Sequence, residues 1–83
     1  MNIIIQPTTK KSLKKLPTKI ISIILKKLHL IRNNPLRYIK RLKGSNLWKL
    51  RIGDYRAILY ISTKNDEIHV LKIGHRKEIY KKK

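Results

Sequence analysis

Three cationic side chains of one predicted hairpin are placed to bind phosphate. Apolar and polar residues alternate on both sides of Gly53-Asp54, a pattern that predicts a β-hairpin with this dipeptide as its loop. In that register Arg51 lies opposite Arg56, and Lys49 lies on the same face. Directly opposed like charges destabilise a sheet by about 0.2–1 kcal/mol per pair, so the pair is better tolerated with an anion between them. Guanidinium groups match phosphate oxygens bidentately, and the pattern therefore predicts a phosphate site.

The same register gives the hairpin an apolar second face. Glycine at the first loop position suits a type II′ turn. The remaining predicted cross-strand pairs are Ile52 with Tyr55, Leu50 with Ala57, Lys49 with Ile58, and Trp48 with Leu59. Because Trp48 faces away from the cations, we expect it to pack in the core rather than to stack on a nucleobase.

Overall charge points to an acidic partner. The 83 residues include 22 Lys or Arg against 4 Asp or Glu, which gives a formal net charge of +18 and a pI near 10.7. All four acidic residues follow Gly53, so the first half of the chain has no negative side chain. Such an imbalance is typical of nucleic-acid binding and implies strong self-repulsion in the free protein. We expect RNA, or an acidic protein that covers the same surface, as the partner.

Length and composition limit the class of protein. Residues 1–83 are enough for a single small domain. The absence of cysteine excludes disulfides and thiolate metal sites, and no residue spacing indicates a metal or another cofactor. No signal peptide or membrane-spanning run is visible, so we expect a soluble, cytoplasmic protein without a membrane partner.

The N-terminal half reads as a strand followed by two helices. The strand is Asn2–Gln6, ended by Pro7, and Thr8 or Thr9 is expected to cap a helix that runs to Leu16. Thr18 is expected to cap a second helix that ends near Arg32. Its apolar stripe at helical spacing consists of Ile20, Ile21, Ile24, Leu25, Leu28 and Ile31.

The C-terminal half reads as a three-stranded meander. Residues 36–46 are interpreted as a basic connector, followed by the hairpin and by a last strand at about Glu67–Ile73. The last strand has apolar residues on both faces and is expected to be interior. Gly74-His75-Arg76 then leads into a short basic tail. The predicted fold class is α+β, with two N-terminal helices packed on a small, twisted antiparallel sheet.

This order of elements and three motifs resemble the RelE/ParE superfamily of toxin–antitoxin proteins. The motifs are Leu42-Lys43-Gly44, the segment 48–60 containing Arg51-Ile52-Gly53-Asp54-Tyr55-Arg56, and Ile73-Gly74-His75-Arg76 followed by Tyr80. The resemblance implies a RelE-like, microbial-ribonuclease-like fold over nearly the whole chain. It also implies one of two activities: the RelE branch cleaves mRNA in the ribosomal A site, and the ParE branch poisons DNA gyrase.

A RelE-like site implies roles for particular residues. The implied catalytic residues are Lys49, Arg51, Arg56, Arg76 and Tyr80, with His75 as a further candidate, and the implied RNA-binding residues are Lys43, Lys49, Arg51, Arg56 and Arg76. The implied reaction is attack of a ribose 2′-hydroxyl on the adjacent phosphate, with the arginines stabilising the charge that develops. Neighbouring cations disfavour the protonated amine of Lys49, so Lys49 is a candidate general base, and His75 is the other. Tyr80 would stack on a displaced base or orient the nucleophile, although its spacing from Arg76 is short for the family.

The resemblance also implies partners, and two other functions stay open. A RelE-like toxin is paired with an acidic RelB-like antitoxin in a heteromeric complex, and acts on mRNA at the ribosome. The first alternative is a ParE-like gyrase poison, which needs no cationic catalytic cluster. The second is a non-catalytic basic RNA-binding protein. His29 and His69 have no metal-like spacing and are interpreted as surface or core residues.

Overall fold

A five-stranded sheet forms the centre of the computed structural model, which describes residues 1–79. The strands are β1 (Asn2–Ile5), β2 (Ile39–Arg41), β3 (Trp48–Ile52), β4 (Tyr55–Ser62) and β5 (Glu67–His75). The helices are α1 (Pro7–Lys14), α2 (Thr18–Ile31) and α3 (Arg76–Ile79), with a 3₁₀ turn at Pro35–Arg37. The predicted α+β class is confirmed. Tyr80 and the final three lysines lie outside the described residues.

The sheet is mixed rather than wholly antiparallel. Its strand order is β1-β5-β4-β3-β2, and β1 runs parallel to β5, with Asn2 opposite Glu67. All other neighbouring strands are antiparallel. The expectation of an antiparallel sheet is therefore wrong for its first strand, because the partner of β1 lies at the other end of the chain. The interior position predicted for the last strand is confirmed.

The predicted hairpin register is confirmed at every pair. Arg51 lies opposite Arg56, and the four flanking pairs agree with the alternation of the sequence. Gly53 has a φ of +61°, whereas Asp54 does not have a positive φ, a combination that fits the type II′ turn. Because an L-residue with a side chain is strained at this φ, the loop depends on the glycine.

One row of apolar residues across the sheet fixes which face is buried. Ile39, Leu50, Ala57 and Ile73 are neighbours on β2, β3, β4 and β5, and each is at most 7% exposed. They belong to the same core cluster as Ile24, Leu28 and Ile31 of α2 and Leu13 of α1. Side chains alternate along a strand, so the neighbouring row faces away from these helices.

The apolar stripe of α2 is confirmed except at Leu25. Ile24, Leu28 and Ile31 are buried, while Leu25 is 45% exposed. Among residues 1–79, no helix has the length and apolarity that spanning a bilayer requires.

Both helices start without the predicted threonine caps. The N-cap positions are Gln6 and Pro17, and neither makes a side-chain capping hydrogen bond. Pro7 occupies the first turn of α1, where its fixed φ suits the helix and its missing N–H costs nothing. Thr9 instead lies buried inside α1 and donates its hydroxyl hydrogen to the carbonyl oxygen of Leu71 at 2.7 Å.

The connector contains a strand that the sequence does not signal. Ile39–Arg41 form β2, the edge strand beside β3, although the interpretation of residues 36–46 was a helical or turn-like connector. Only Ile39 is buried, and it lies opposite Leu50. Three residues with one apolar side chain give too short a pattern to predict, so pairing with β3 decides the conformation. The last strand is also longer than predicted, since Gly74 and His75 belong to β5.

Substitution of Leu50 tests the buried row. We expect Leu50→Ala to lower the free energy of unfolding by about 2–5 kcal/mol, because it leaves a cavity between α2 and the sheet. Leu36→Ala is the control, since Leu36 is 66% exposed and should change stability by no more than about 0.5 kcal/mol. Urea denaturation measures both, and equal effects of the two substitutions would contradict the assigned core face.

Candidate active site

Arg51 and Arg56 form a pair of cations beside the hairpin turn. They are the second pair from the loop, after Ile52 and Tyr55. In a two-residue hairpin, backbone hydrogen bonds do not join the residues of this second pair. The side chains of such a pair lie closer together than those of a hydrogen-bonded pair, with Cβ atoms about 4.5–5.5 Å apart. Both side chains point away from the buried row. Two guanidinium groups therefore start from adjacent positions on the exposed face.

The two arginines differ in how firmly they are held. Arg56 is only 8% exposed, and its Nη1 donates to the carbonyl oxygens of Gly53 at 2.7 Å and Tyr55 at 2.9 Å. Arg51 is exposed. Arg56 thus has a fixed position determined by the turn, whereas Arg51 projects into solvent, where it can meet a ligand.

Arg76 reaches the same end of the sheet through the backbone. Gly74 lies opposite Arg56 on β5, and two residues later the amide of Arg76 donates to the carbonyl oxygen of Asp54 at 2.8 Å. Arg76 begins α3 and is exposed. A Cβ added to Gly74 would meet the side chain of Ile79 at 3.4 Å, so α3 lies close over β5 at this point. The structure therefore brings Arg51, Arg56 and Arg76 to one end of the hairpin.

Lys49 lies in the next row of the same face. This row crosses four strands through the residues Lys40, Lys49, Ile58 and Lys72. Lys40 and Lys72 are exposed, while Lys49 and Ile58 are half-buried. Sequence reasoning found Lys49 but not Lys40 or Lys72. The sequence does not predict strand β2, and Lys40 was missed for that reason. Lys72 was missed because an irregularity in the pairing of β5 with β4 decides which face of the sheet it occupies.

His75 lies on the other face of the sheet. It is opposite Tyr55, and the two rings pack edge-on with centroids 5.6 Å apart. Its Nδ1 accepts a hydrogen bond from the amide of Lys77 at 3.3 Å. Because Tyr55 and Ile52 share the face of the buried row, His75 is separated by the sheet from the arginines. Of the two candidate bases, the structure groups only Lys49 with them.

Two further predicted site residues are not brought to the arginines. Lys43 lies in the turn between β2 and β3, at the end of β3 remote from Arg51, and is exposed. Tyr80 is outside the described residues, so its assigned role stays a prediction.

Two of the four carboxylates lie away from the arginines, and Glu78 lines the same pocket as Lys72. Glu67 lies at the far end of β5, where its Oε1 is 3.0 Å from Nε2 of His69, and Asp66 lies 3.9 Å from the N-terminal amine. Asp54 is in the hairpin loop and Glu78 is in α3. Among residues 1–79, no cluster of His, Asp and Glu is placed to hold a metal ion.

Trp48 and Tyr60 lie on opposite faces of the sheet. Trp48 packs against the core, as predicted, and the guanidinium carbon of Arg41 lies 5.2 Å from its ring centroid. Tyr60 is 39% exposed and alternates with Ile58 onto the cationic face. Its ring packs against that of His69 on β5, with centroids 6.0 Å apart. Tyr60 is thus a partly exposed aromatic ring on the same face as the cations.

Comparison with known proteins identifies the family. The family profile described as ParE toxin of the type II toxin–antitoxin system parDE matches residues 3–80. The chain belongs to the RelE/ParE superfamily. It is therefore a toxin of a type II toxin–antitoxin system. A comparison with curated proteins finds no match.

Solved structures share the fold of this toxin over nearly its whole length. The toxin is 30% identical to a chain of the RelB–RelE antitoxin–toxin complex from Methanococcus jannaschii, with a TM-score of 0.74 over 93% of this chain and 94% of that chain. It is 26% identical to a chain of the archaeal RelE–RelB complex from Pyrococcus horikoshii, with a TM-score of 0.78 over 90% and 93%. A chain of the RelBE2 complex from Mycobacterium tuberculosis is 24% identical, with a TM-score of 0.85 over 90% and 96%.

The unequal environments of the two arginines predict opposite effects on the stability of the toxin. Arg51→Gln should leave the free energy of unfolding unchanged or raise it by up to about 1 kcal/mol, because it removes a like charge from a directly opposed pair. Arg56→Gln should lower it by about 1–3 kcal/mol, because it removes charge-assisted hydrogen bonds to two turn carbonyls. Urea denaturation at low salt provides the comparison. The stabilising effect of Arg51→Gln should shrink at high salt, where the repulsion is screened. Equal destabilisation by both changes would show that Arg56 has no special role in the turn.

Proposed function

We propose that this toxin is an endoribonuclease that cleaves mRNA in the ribosomal A site and so inhibits translation. The observation that carries the proposal is the grouping of Arg51, Arg56 and Arg76 at one end of the hairpin, with Lys49 in the adjacent row of the same face. A charged phosphate fits such a group, and the net charge of +18 favours a polyanionic substrate.

The proposed reaction uses the 2′-hydroxyl of the substrate as its nucleophile. The 2′-oxygen bonds to the neighbouring phosphorus, its proton passes to a general base, and the bond from phosphorus to the 5′-oxygen breaks as that oxygen takes up a proton. Lys49 is the candidate base because it shares the face of the arginines, whereas His75 lies behind the sheet. The product strand ends in a 2′,3′-cyclic phosphate.

The arginines supply charge stabilisation during this reaction. Negative charge accumulates on the non-bridging oxygens as the fifth bond to phosphorus forms, and preorganised cationic donors lower the energy of that state. Arg56 is preorganised by the carbonyl oxygens of Gly53 and Tyr55. Arg51 and Arg76 are exposed and are free to close on a bound phosphate. Tyr80 is proposed to stack on a base or to orient the nucleophile.

A gyrase poison is the second candidate function. It is favoured by the profile of the ParE toxin, which matches residues 3–80. Poisoning through protein binding does not require the arginines and Lys49 to share one face. Under this alternative, Arg76→Ala would leave the toxin able to stop growth.

An acidic antitoxin is the proposed protein partner. The solved complexes from Methanococcus jannaschii and Pyrococcus horikoshii pair a RelE chain with a RelB chain. In this toxin a groove of about 310 Å³ runs between α2 and the hairpin tip, with Ile23 and Leu30 on its apolar side and Lys26, Lys27 and Arg51 among its cations. An acidic segment with an apolar stripe fits this groove, and a segment bound there would cover Arg51. We propose a heteromeric complex of this kind for the toxin.

The first test is cleavage of a message during translation in vitro. We expect the wild-type protein to produce cuts within codons at the A site, detected by primer extension, only when ribosomes are present. Arg76→Ala should slow cleavage about 10²–10³-fold, the loss typical of removing one group that stabilises a developing oxyanion. Lys64→Ala is the control, because it removes one exposed cation from the turn between β4 and β5, at the opposite end of β4 from the hairpin loop.

Two results would contradict the nuclease proposal. One is an intact message at high concentrations of wild-type protein, in which case a gyrase supercoiling assay tests the second candidate. The other is equal cleavage by Arg76→Ala and Lys64→Ala, which would show that the arginine group at the hairpin tip is not the active site.

A further inference from the structure

We propose that His75 is a positioning residue, whose imidazole holds the start of α3 and thereby fixes the place of Arg76 beside the other two arginines. The inference rests on the proposed nuclease function and adds to it a residue that acts from the opposite face of the sheet. His75 does not reach the substrate in this role, because the sheet separates its ring from the arginine group.

A hydrogen bond at the end of β5 makes His75 the N-cap of α3. His75 is the last residue of β5, and α3 begins at the next residue, Arg76. At the N-cap position a side chain accepts a hydrogen bond from the amide two or three residues later. The Nδ1 of His75 accepts such a bond from the amide of Lys77 at 3.3 Å. The cap satisfies one of the free amides of the first turn, and it therefore stabilises the start of the helix.

Two hydrogen bonds of different origin hold the backbone around Arg76. The amide of Arg76 itself donates to the carbonyl oxygen of Asp54 in the hairpin loop at 2.8 Å. The next amide, that of Lys77, donates to His75. The first bond ties Arg76 to the hairpin loop, and the second sets the direction in which the chain turns after the strand. Together they determine where the guanidinium group of Arg76 starts from.

A helix as short as α3 depends on contacts of this kind. It spans only Arg76–Ile79, and a single helical turn is not stable by itself. It packs on β5 and β4, where the side chain of Ile79 lies close above Gly74. Loss of the cap should therefore loosen α3 and Arg76 while the five-stranded sheet stays intact.

The packing of the imidazole ring fixes which nitrogen is the acceptor. The ring of His75 meets that of Tyr55 edge-on, with centroids 5.6 Å apart and an interplanar angle of 73°. An Nδ1 that accepts a hydrogen bond carries no proton, so the capping ring is neutral and has its hydrogen on Nε2. Protonation of Nδ1 would remove the acceptor and place a positive charge at the N-terminal end of α3, where a cation is unfavourable. The other titratable side chains around the ring, in the pocket that His75 lines, are Lys15 of α1, Tyr55 of β4, Lys72 of β5 and Glu78 of α3.

Two substitutions separate the cap from the packing of the ring. His75→Phe keeps an aromatic ring beside Tyr55 but has no acceptor, whereas His75→Asn supplies an oxygen from a residue favoured at N-caps. We expect His75→Phe to slow cleavage of a message during translation in vitro by about 3–30-fold, which corresponds to the loss of one cap. His75→Asn should stay within about 3-fold of the wild type. Equal losses in both variants, as expected if the imidazole itself carried a proton in the reaction, would overturn the proposal.

A double-mutant cycle tests whether His75 acts through Arg76. His75→Phe should change cleavage by less than about 2-fold in a protein that already carries Arg76→Ala, because the group that the cap positions is gone. Independent contributions would instead multiply. A further loss in the double variant as large as that of His75→Phe alone would overturn the proposal. Thermal unfolding establishes that all variants are folded.

The pH profile offers a readout that a purely structural role of the ring would not change. Asparagine does not titrate, whereas an imidazole gains its second proton in the mildly acidic range. The cleavage rate of the wild type divided by that of His75→Asn should therefore fall as the pH is lowered from about 8 to about 5.5. The division cancels the titration of groups that both proteins share. A ratio that stays constant or rises would contradict capping by the neutral ring.

Amide hydrogen exchange tests the cap without the nuclease reaction. The amides of Arg76 and Lys77 should exchange about 3–30-fold faster in His75→Phe than in the wild type, and His75→Asn should restore slow exchange. The amides of Leu50 and Ala57 inside the sheet are the control and should not change. If the wild type cleaves no message but exchange responds in this way, the cap stands and the nuclease reaction fails. If cleavage occurs and exchange at Lys77 is unaltered in His75→Phe, the nuclease stands and the cap is refuted.

Discussion

Repulsion between Arg51 and Arg56 is the constraint around which the end of the hairpin is arranged. The two cations are directly opposed on adjacent strands, and the structure relieves only one of them internally, by directing Arg56 to the carbonyl oxygens of Gly53 and Tyr55. Those carbonyls are available because the chain reverses in a type II′ turn, which requires the positive φ of Gly53. Arg51 is left exposed, and no carboxylate of residues 1–79 forms an ion pair with it. At the proposed site, the protein itself would stabilise one of the two cations, and a bound anion would stabilise the other.

The opposite face of the sheet determines where those charges lie. Leu50 and Ala57 are fully buried against the helices, and they alternate with Lys49, Arg51 and Arg56 along the same two strands. A shift of one residue in the register would expose the core and bury the cations, at a cost far above the repulsion within the arginine pair. The hydrophobic core therefore specifies the cationic face indirectly. This coupling explains why a sheet tolerates opposed like charges that would be unfavourable in an isolated hairpin.

Local patterns made the hairpin and α2 predictable, whereas long-range pairing made other features unpredictable. Alternation around Gly53 specifies the Arg51–Arg56 pair, because side-chain period and loop length together leave one register. The parallel pairing of β1 with β5 joins the two ends of the chain and has no local signal. Strand β2 takes its conformation from β3, and the side of the sheet that Lys72 occupies follows from the unpaired Leu71. His75 was a candidate base because of its imidazole in the Gly74-His75-Arg76 motif, but it lies opposite Tyr55 at the end of β5, on the face of the buried row.

The large positive net charge links the proposed active site to the proposed binding of an acidic antitoxin. With a net charge of +18 on 83 residues, self-repulsion opposes the compact state, and every anionic ligand that binds only the folded protein stabilises it by mass action. Under the proposed function, RNA and an acidic antitoxin would both neutralise the face that carries Lys49 and Arg51, and both would reduce the self-repulsion. Binding of one would then weaken binding of the other for electrostatic reasons, even where their contacts overlap only in part. In the proposed complex, an antitoxin that covers Arg51 from the groove beside α2 would weaken RNA binding without covering the whole face, because each neutralised cation lowers the electrostatic attraction for phosphate.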